Sequence, residues 1–235
     1  MNALGKIHVN GEDARQFLQA QLTADLSGLA AGASRSAAWC TAQGRVICVT
    51  TVQAGPEGFD LSLPAELASD VLTRLRRYVL RARVKLEEQP SEPGVASGVA
   101  SADLLAVQAG LPEIYAATSE QWIPQMLNLD LLGAIGFTKG CYPGQEIITR
   151  TRHLGRVKRR MFRYRCDGVA PAPASPLHFA GNKVGQVVRS APTPEGSECL
   201  AVVDLEAAGQ ALTTAAGERC TQLPLPYPIP EVVAA

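Results

Sequence analysis

Residues Phe137 to Arg150 read FTKGCYPGQEIITR. Lys139 to Glu146 place a lysine, two glycines, a cysteine, a tyrosine, a proline, a glutamine and a glutamate in eight consecutive positions. A stretch that only fills a core is apolar with a helix or strand period. This one is small, polar and reactive in its middle. Gly140 and Gly144 permit backbone angles that other residues resist, and Pro143 fixes its own φ. Cys141 and Tyr142 stand between these constraints, and the run Glu146-Ile147-Ile148-Thr149 resumes regular structure. The pattern predicts a thiol on a glycine-flanked turn, with the charge of Lys139 favouring its thiolate.

On the N-terminal side, Lys6-Ile7-His8-Val9 reads as a strand and Asn10-Gly11 as a turn. Asp13 is an N-cap candidate for a helix over Ala14 to Leu22. Ser36 to Cys40 and Val46 to Val52 read as strands of a hairpin turned at Gln43-Gly44, and Phe59 to Leu63 as a further strand. Pro64 is expected at the first position of a helix reaching about Tyr78. Val79 to Leu86 reads as a strand. This β-α-β-β-β-α-β order predicts an α+β domain with an antiparallel sheet and helices on one face. Gln89 to Ser101 is rich in Pro, Gly and Ser and reads as a linker. Asp103 to Gly110 is short and apolar, and Trp122 to Leu132 leads into the central stretch. Beyond Lys158 the pattern alternates: Arg160 to Cys166, Lys183 to Val188 and Cys199 to Val203 are strands of a small barrel or sandwich. The tail Leu223 to Pro228 is extended, with proline at every second position.

The 235 residues carry 22 basic and 22 acidic side chains, so no global field draws the chain to nucleic acid or membrane. No apolar run approaches the ~20 residues of a spanning helix, and no secretory signal opens the sequence. Cysteines 40, 48, 141, 166, 199 and 220 form no C-x-x-C pair, and histidines 8, 153 and 178 are scattered, so no metal-ligand set is expected. Five of the six thiols are expected as buried small hydrophobes in a reduced, cytoplasmic protein.

The central stretch resembles the signature K-G-C-[FY]-x-G-Q-E-x-x-x-R of the YgfZ family. Those are folate-binding proteins related to the T-protein of the glycine cleavage system, acting in iron–sulfur cluster maintenance and tRNA modification. The matching positions are Lys139, Gly140, Cys141, Tyr142, Gly144, Gln145, Glu146 and Arg150. Further similarity covers Val9 to Ala14, Phe17-Leu18-Gln19, Gln43-Gly44-Arg45, Gly110-Leu111-Pro112, Ile123-Pro124-Gln125 and Asn128-Leu129-Asp130.

The resemblance implies a GcvT-like α+β fold: an N-terminal antiparallel sheet with helices, and a small C-terminal β-barrel. Residues 1–155 would form the folate-binding region, with a break near 89–101 dividing it into two subdomains, and 156–235 the barrel. It implies tetrahydrofolate or another reduced folate as ligand and iron–sulfur enzymes or assembly factors as partners. Cys141 and Lys139 would carry the chemistry. Tyr142, Gln145, Glu146 and Arg150 would contact the folate. In the T-proteins a glutamate in an R-L-E-A-G run holds the pterin; here the run is Ala106-Val107-Gln108-Ala109-Gly110, so Gln108, or Glu113 beyond it, takes that place.

The residues also support plainer roles. Gln145 and Glu146 suit a helix N-terminus, where they would cap N–H groups and complement the dipole. The eight Lys/Arg between Arg150 and Arg165 form either a solvated face or an anion site for a folate polyglutamate tail or, less strongly, for tRNA. A lone cysteine cannot supply four cluster ligands, so a cluster role needs ligands from elsewhere. Two rival functions remain: a non-catalytic accessory protein that docks on iron–sulfur enzymes, and an aminomethyltransferase. The second is disfavoured, because Ile47 and Cys48 stand where the T-protein signature G-G-x-x-D-D has aspartates.

Overall fold

The computed structural model describes residues 3–89, 101–153 and 157–230. The chain divides into two compact units, Met1–Gly94 with Ile114–Pro124 and Leu132–His153, and Val95–Glu113 with Gln125–Leu131 and Leu154–Ala235. Most of the expected linker at 89–101 lies outside the described residues.

The first unit is built on β1 (Leu4–Asn10), α1 (Ala14–Gln21), β2 (Ser34–Cys40), β3 (Val46–Ala54), β4 (Gly58–Pro64), α2 (Ala65–Arg76) and β5 (Lys85–Gln89). The strands form one antiparallel sheet ordered β2-β3-β4-β1-β5. Side chains alternate across it as the period of two requires. Ile7, Val9, Phe59, Leu61 and Leu63 are buried, whereas His8 and Asp60, paired across β1 and β4, turn to the wetter face and join at 2.7 Å. Phe17 and Leu18 of α1 and Leu67, Ala68, Val71, Leu72 and Leu75 of α2 are buried at helical spacing.

Three local expectations are corrected. Asp13 precedes α1 but does not cap it; its carboxylate accepts the Arg83 backbone N–H at 2.8 Å. Pro64 ends β4 with ψ 131 and α2 begins after it, at Ala65, stopping at Arg76. The strand expected from Val79 forms only from Lys85, opposite Asn10. Both backbone groups of Arg83 are already taken by Asp13, so the ladder to β1 cannot extend further back.

The second unit contains α3 (Ala102–Gln108) and a closed barrel of β6 (Arg159–Cys166), β7 (Pro176–Phe179), β8 (Asn182–Thr193), β9 (Gly196–Asp204), β10 (Leu212–Thr214) and β11 (Arg219–Leu223), ordered β10-β11-β6-β9-β8-β7. The sequence left barrel and sandwich open; closure of β7 on β10 decides for the barrel and removes its edges. Phe162, Tyr164, Cys166, Cys199, Ala201, Val203 and Cys220 fill its core. Segments 101–113 and 125–131, read in the sequence as part of the first region, belong to this unit. Arg189 on β8 ties α3 down through Asp103 at 2.7 Å and Glu113 at 3.2 Å. The tail, expected to be extended, leaves β11 after Leu223 and bends at Pro226 and Tyr227; its prolines face solvent. Leu225, Tyr227 and Ile229 are half-buried, and the Tyr227 hydroxyl donates to the Gly110 carbonyl at 2.8 Å.

Candidate functional site

The site is a loop in the first unit, hung on the buried bend that follows α1. Thr23 is fully buried; its hydroxyl donates to the Ala134 carbonyl at 2.7 Å and accepts the Ala38 N–H at 2.8 Å. Gly136 N–H donates to the Thr23 carbonyl at 2.8 Å. Lys139 then reaches back, its ammonium donating to the carbonyls of Leu22 at 2.6 Å and Ala24 at 2.8 Å. These bonds fix the loop against β2 before the cysteine is reached.

Tyr142-Pro143-Gly144-Gln145 forms the tight turn that Pro and Gly at its two central positions encode. Gln145 N–H donates to the Tyr142 carbonyl at 3.2 Å, and Gly144 has φ +78, a conformation that other residues resist. The helix α4 (Gln145–His153) starts directly from this turn. Ile148 is its buried anchor, while Glu146 lies in the first turn, where its charge complements the dipole. Gln145 does not cap the helix; its amide donates toward the Lys139 carbonyl at 3.5 Å. Arg150 is exposed in the last turn.

Cys141 is exposed, and the other five cysteines are buried. It opens on a cleft of about 530 Å³ lined with Ala42, Phe137, Tyr142, Gln145, Glu146 and Thr149. The Tyr142 ring is only 6% exposed, and the Lys139 ammonium sits 5.1 Å from its centroid. Burial pushes the Tyr142 hydroxyl up to about 12 and brings Lys139 down to about 8, the nearby Asp25 charge partly opposing the latter. Lys139 gives its hydrogen bonds to two carbonyls, and these pin the loop.

The structure brings together Lys139, Cys141, Tyr142, Gln145 and Glu146, with Arg150 further along α4. Gln108 and Glu113 belong to the second unit. Gln108 ends α3 half-buried, and Glu113 is engaged by Arg189. The basic segment is not one anion site. Arg160 is buried and bidentate to Asp130 at 2.9 Å, Arg163 pairs with Glu198 at 2.8 Å, Arg159 with Asp204, and Arg152 stacks over Phe137. Arg156 lies outside the described residues. Cys48, at the position of the missing aspartates, is a buried thiol pushed up to about 12 by desolvation. Sequence reasoning missed Thr23, Phe137 and the second role of Gly44. The hairpin turn at Gly44 lies directly beneath Gly144, and only the matched pair of positive-φ glycines hinted at that.

No protein-family profile matches the chain. An uncharacterized protein of Haemophilus influenzae is 29% identical over 66% of this chain and 69% of its own length. Proteins named tRNA-modifying protein YgfZ from Edwardsiella ictaluri and Yersinia pestis are each 26% identical over 66% of this chain and 67% of their own. The resemblance to the YgfZ family read from the central stretch is borne out by these relatives. The aminomethyltransferase T of the glycine cleavage system from Bartonella henselae has the same fold, with a TM-score of 0.74 at 14% identity over 94% of this chain and 82% of that one. The α+β architecture with a closed six-stranded barrel is therefore a T-protein-like fold.

Proposed function

We propose that this chain is a cytoplasmic folate-binding protein that supports iron–sulfur enzymes, and through them tRNA modification, with Cys141 as its reactive thiol. One observation carries the reading: of six cysteines, only Cys141 is exposed, directly before the Pro143-Gly144 turn and in the lining of a cleft. Exposure is what reactivity requires of a thiol, and buried cysteines are inert. The cleft volume falls in the range of small-molecule sites, and Gln145 and Glu146 in its lining offer an amide and a carboxylate for polar contacts with a ligand. The names of the YgfZ relatives support the link to tRNA modification, and the T-protein-like fold supports the folate. Cys141 offers one sulfur, so a cluster would remain on its client protein and the thiol would act on it from outside.

The test is a titration with tetrahydrofolate of wild type, Cys141→Ala and Gln108→Ala. The two positions lie in different units and report on them separately. Saturable binding that survives Cys141→Ala, together with loss of iron–sulfur enzyme activity in cells carrying that variant, supports the proposal. Absence of folate binding by the wild type sinks it and favours a docking protein.

A further inference from the structure

Residues 71–86 carry Arg74, Arg76, Arg77, Arg81, Arg83 and Lys85 and no acidic residue. Four of these cations are already engaged. Arg74 meets Asp70 and Glu120, Arg76 donates to the Leu86 carbonyl, Arg83 pairs with Glu12, and Lys85 with Glu87. Arg77 and Arg81 are exposed and have no ion-pair partner among the described residues. Between them Leu80 is 86% exposed and Tyr78 49%.

Backbone hydrogen bonds define the turn. The turn that follows α2 is closed by hydrogen bonds from Tyr78 N–H to Leu75, Val79 N–H to Arg76 and Leu80 N–H to Tyr78, between 3.0 and 3.1 Å. Tyr78 stands edge-on to Trp39 with centroids 6.2 Å apart, which leaves about half of its side chain free. Asp13 holds the far end through Arg83. A lone exposed leucine is ordinary. A turn that presents a leucine, half a tyrosine and two guanidiniums with no ion-pair partner among the described residues is a surface suited to an anion that also has a flat apolar face.

We propose that the turn Arg77 to Arg81 binds RNA. Arg77 and Arg81 hold phosphates, and Tyr78 with Leu80 packs against an unpaired base, the pairing of cations with stacking surfaces that single-stranded segments favour. The inference is independent of the folate and thiol reading, since it uses none of the residues around Cys141. It also moves the RNA contact away from the 150–165 segment, where Arg159, Arg160 and Arg163 are tied up in ion pairs.

The experiment is fluorescence anisotropy of a labelled, unmodified tRNA transcript across a salt series, with the full chain as wild type, Arg77→Glu/Arg81→Glu and Leu80→Ser. All three positions are exposed, and equal thermal unfolding midpoints check that the variants fold. The charge reversal is expected to weaken binding by roughly tenfold or more and to reduce the salt slope by about one per arginine. Leu80→Ser is expected to weaken binding with the slope unchanged, because it releases no counterions. No saturable binding by the wild type, or equal binding by the double variant, overturns the proposal. A turn that ignores tRNA but binds an acidic, leucine-rich peptide through the two arginines is a protein-docking surface, which also overturns it.

Discussion

The backbones of Gly44 and Gly144 are in contact: a Cβ on Gly144 would lie 2.6 Å from the Gly44 Cα and 2.6 Å from the Thr41 carbonyl oxygen. Both glycines have positive φ, +72 and +78. The β2–β3 hairpin turn is therefore the floor on which the Cys141 turn rests. Gly144→Ala meets strain and a backbone clash together, and is expected to destabilise the fold by about 2 kcal/mol or more. Gly44→Ala meets a softer neighbour, the Ile147 side chain at 3.3 Å, and should cost less. Urea denaturation of the two variants checks the order; an unperturbed Gly144→Ala would show that the turn is free to move off the hairpin.

The single exposed thiol gives a direct count. Native protein should react with a thiol reagent at one cysteine, and unfolded protein at all six. In Cys141→Ser the native reaction should disappear. Rapid modification of a second native cysteine would show that the barrel or sheet thiols are reached by opening of the fold.

Lys139 links the site to pH. Its pKa is lowered from 10.5 to about 8 by burial. Between those values the unfolded chain binds more protons at this residue than the folded one, so its contribution to stability rises with pH from about 8 to 10.5. The neutral amine still has two N–H donors for the Leu22 and Ala24 carbonyls, so the loop stays pinned as the charge is lost. The stability difference between wild type and Lys139→Met should therefore grow in favour of wild type across this window. Urea midpoints at pH 7.5 and 10 test the sign; a difference that shrinks would refute it.

Arg159 and Arg160 are neighbours with opposite fates. The Arg160 guanidinium is buried and held by Asp130 together with the Gln125 carbonyl and Asn128. Arg160→Met leaves Asp130 uncompensated and is expected to cost about 3–5 kcal/mol. The Arg159 pair with Asp204 is more exposed, and Arg159→Ala should cost about 1 kcal/mol or less. Thermal or urea unfolding separates the two. Equal effects would mean that the buried pair is hydrated in solution.

Much of the fold was legible in the chain. The alternation in Lys6–Val9, Phe59–Leu63 and Arg160–Cys166 encodes strands because a period of two is local, and the Pro143-Gly144 turn is written in the two residues that its backbone angles demand. So was the exposed cysteine, since glycines and proline around Cys141 set its presentation without reference to distant contacts. What the sequence could not state is where long side chains end. Lys139 stands two residues from Cys141 in the chain, yet its ammonium goes to Leu22 and Ala24. Arg160 reads as surface charge in a basic run and is buried on Asp130. Glu113 reads as a ligand group and pairs with Arg189. Backbone conformation follows from neighbours in sequence, whereas the partner of a buried charge is chosen by which distant strand or loop the fold brings within 3 Å, and desolvation makes that choice obligatory.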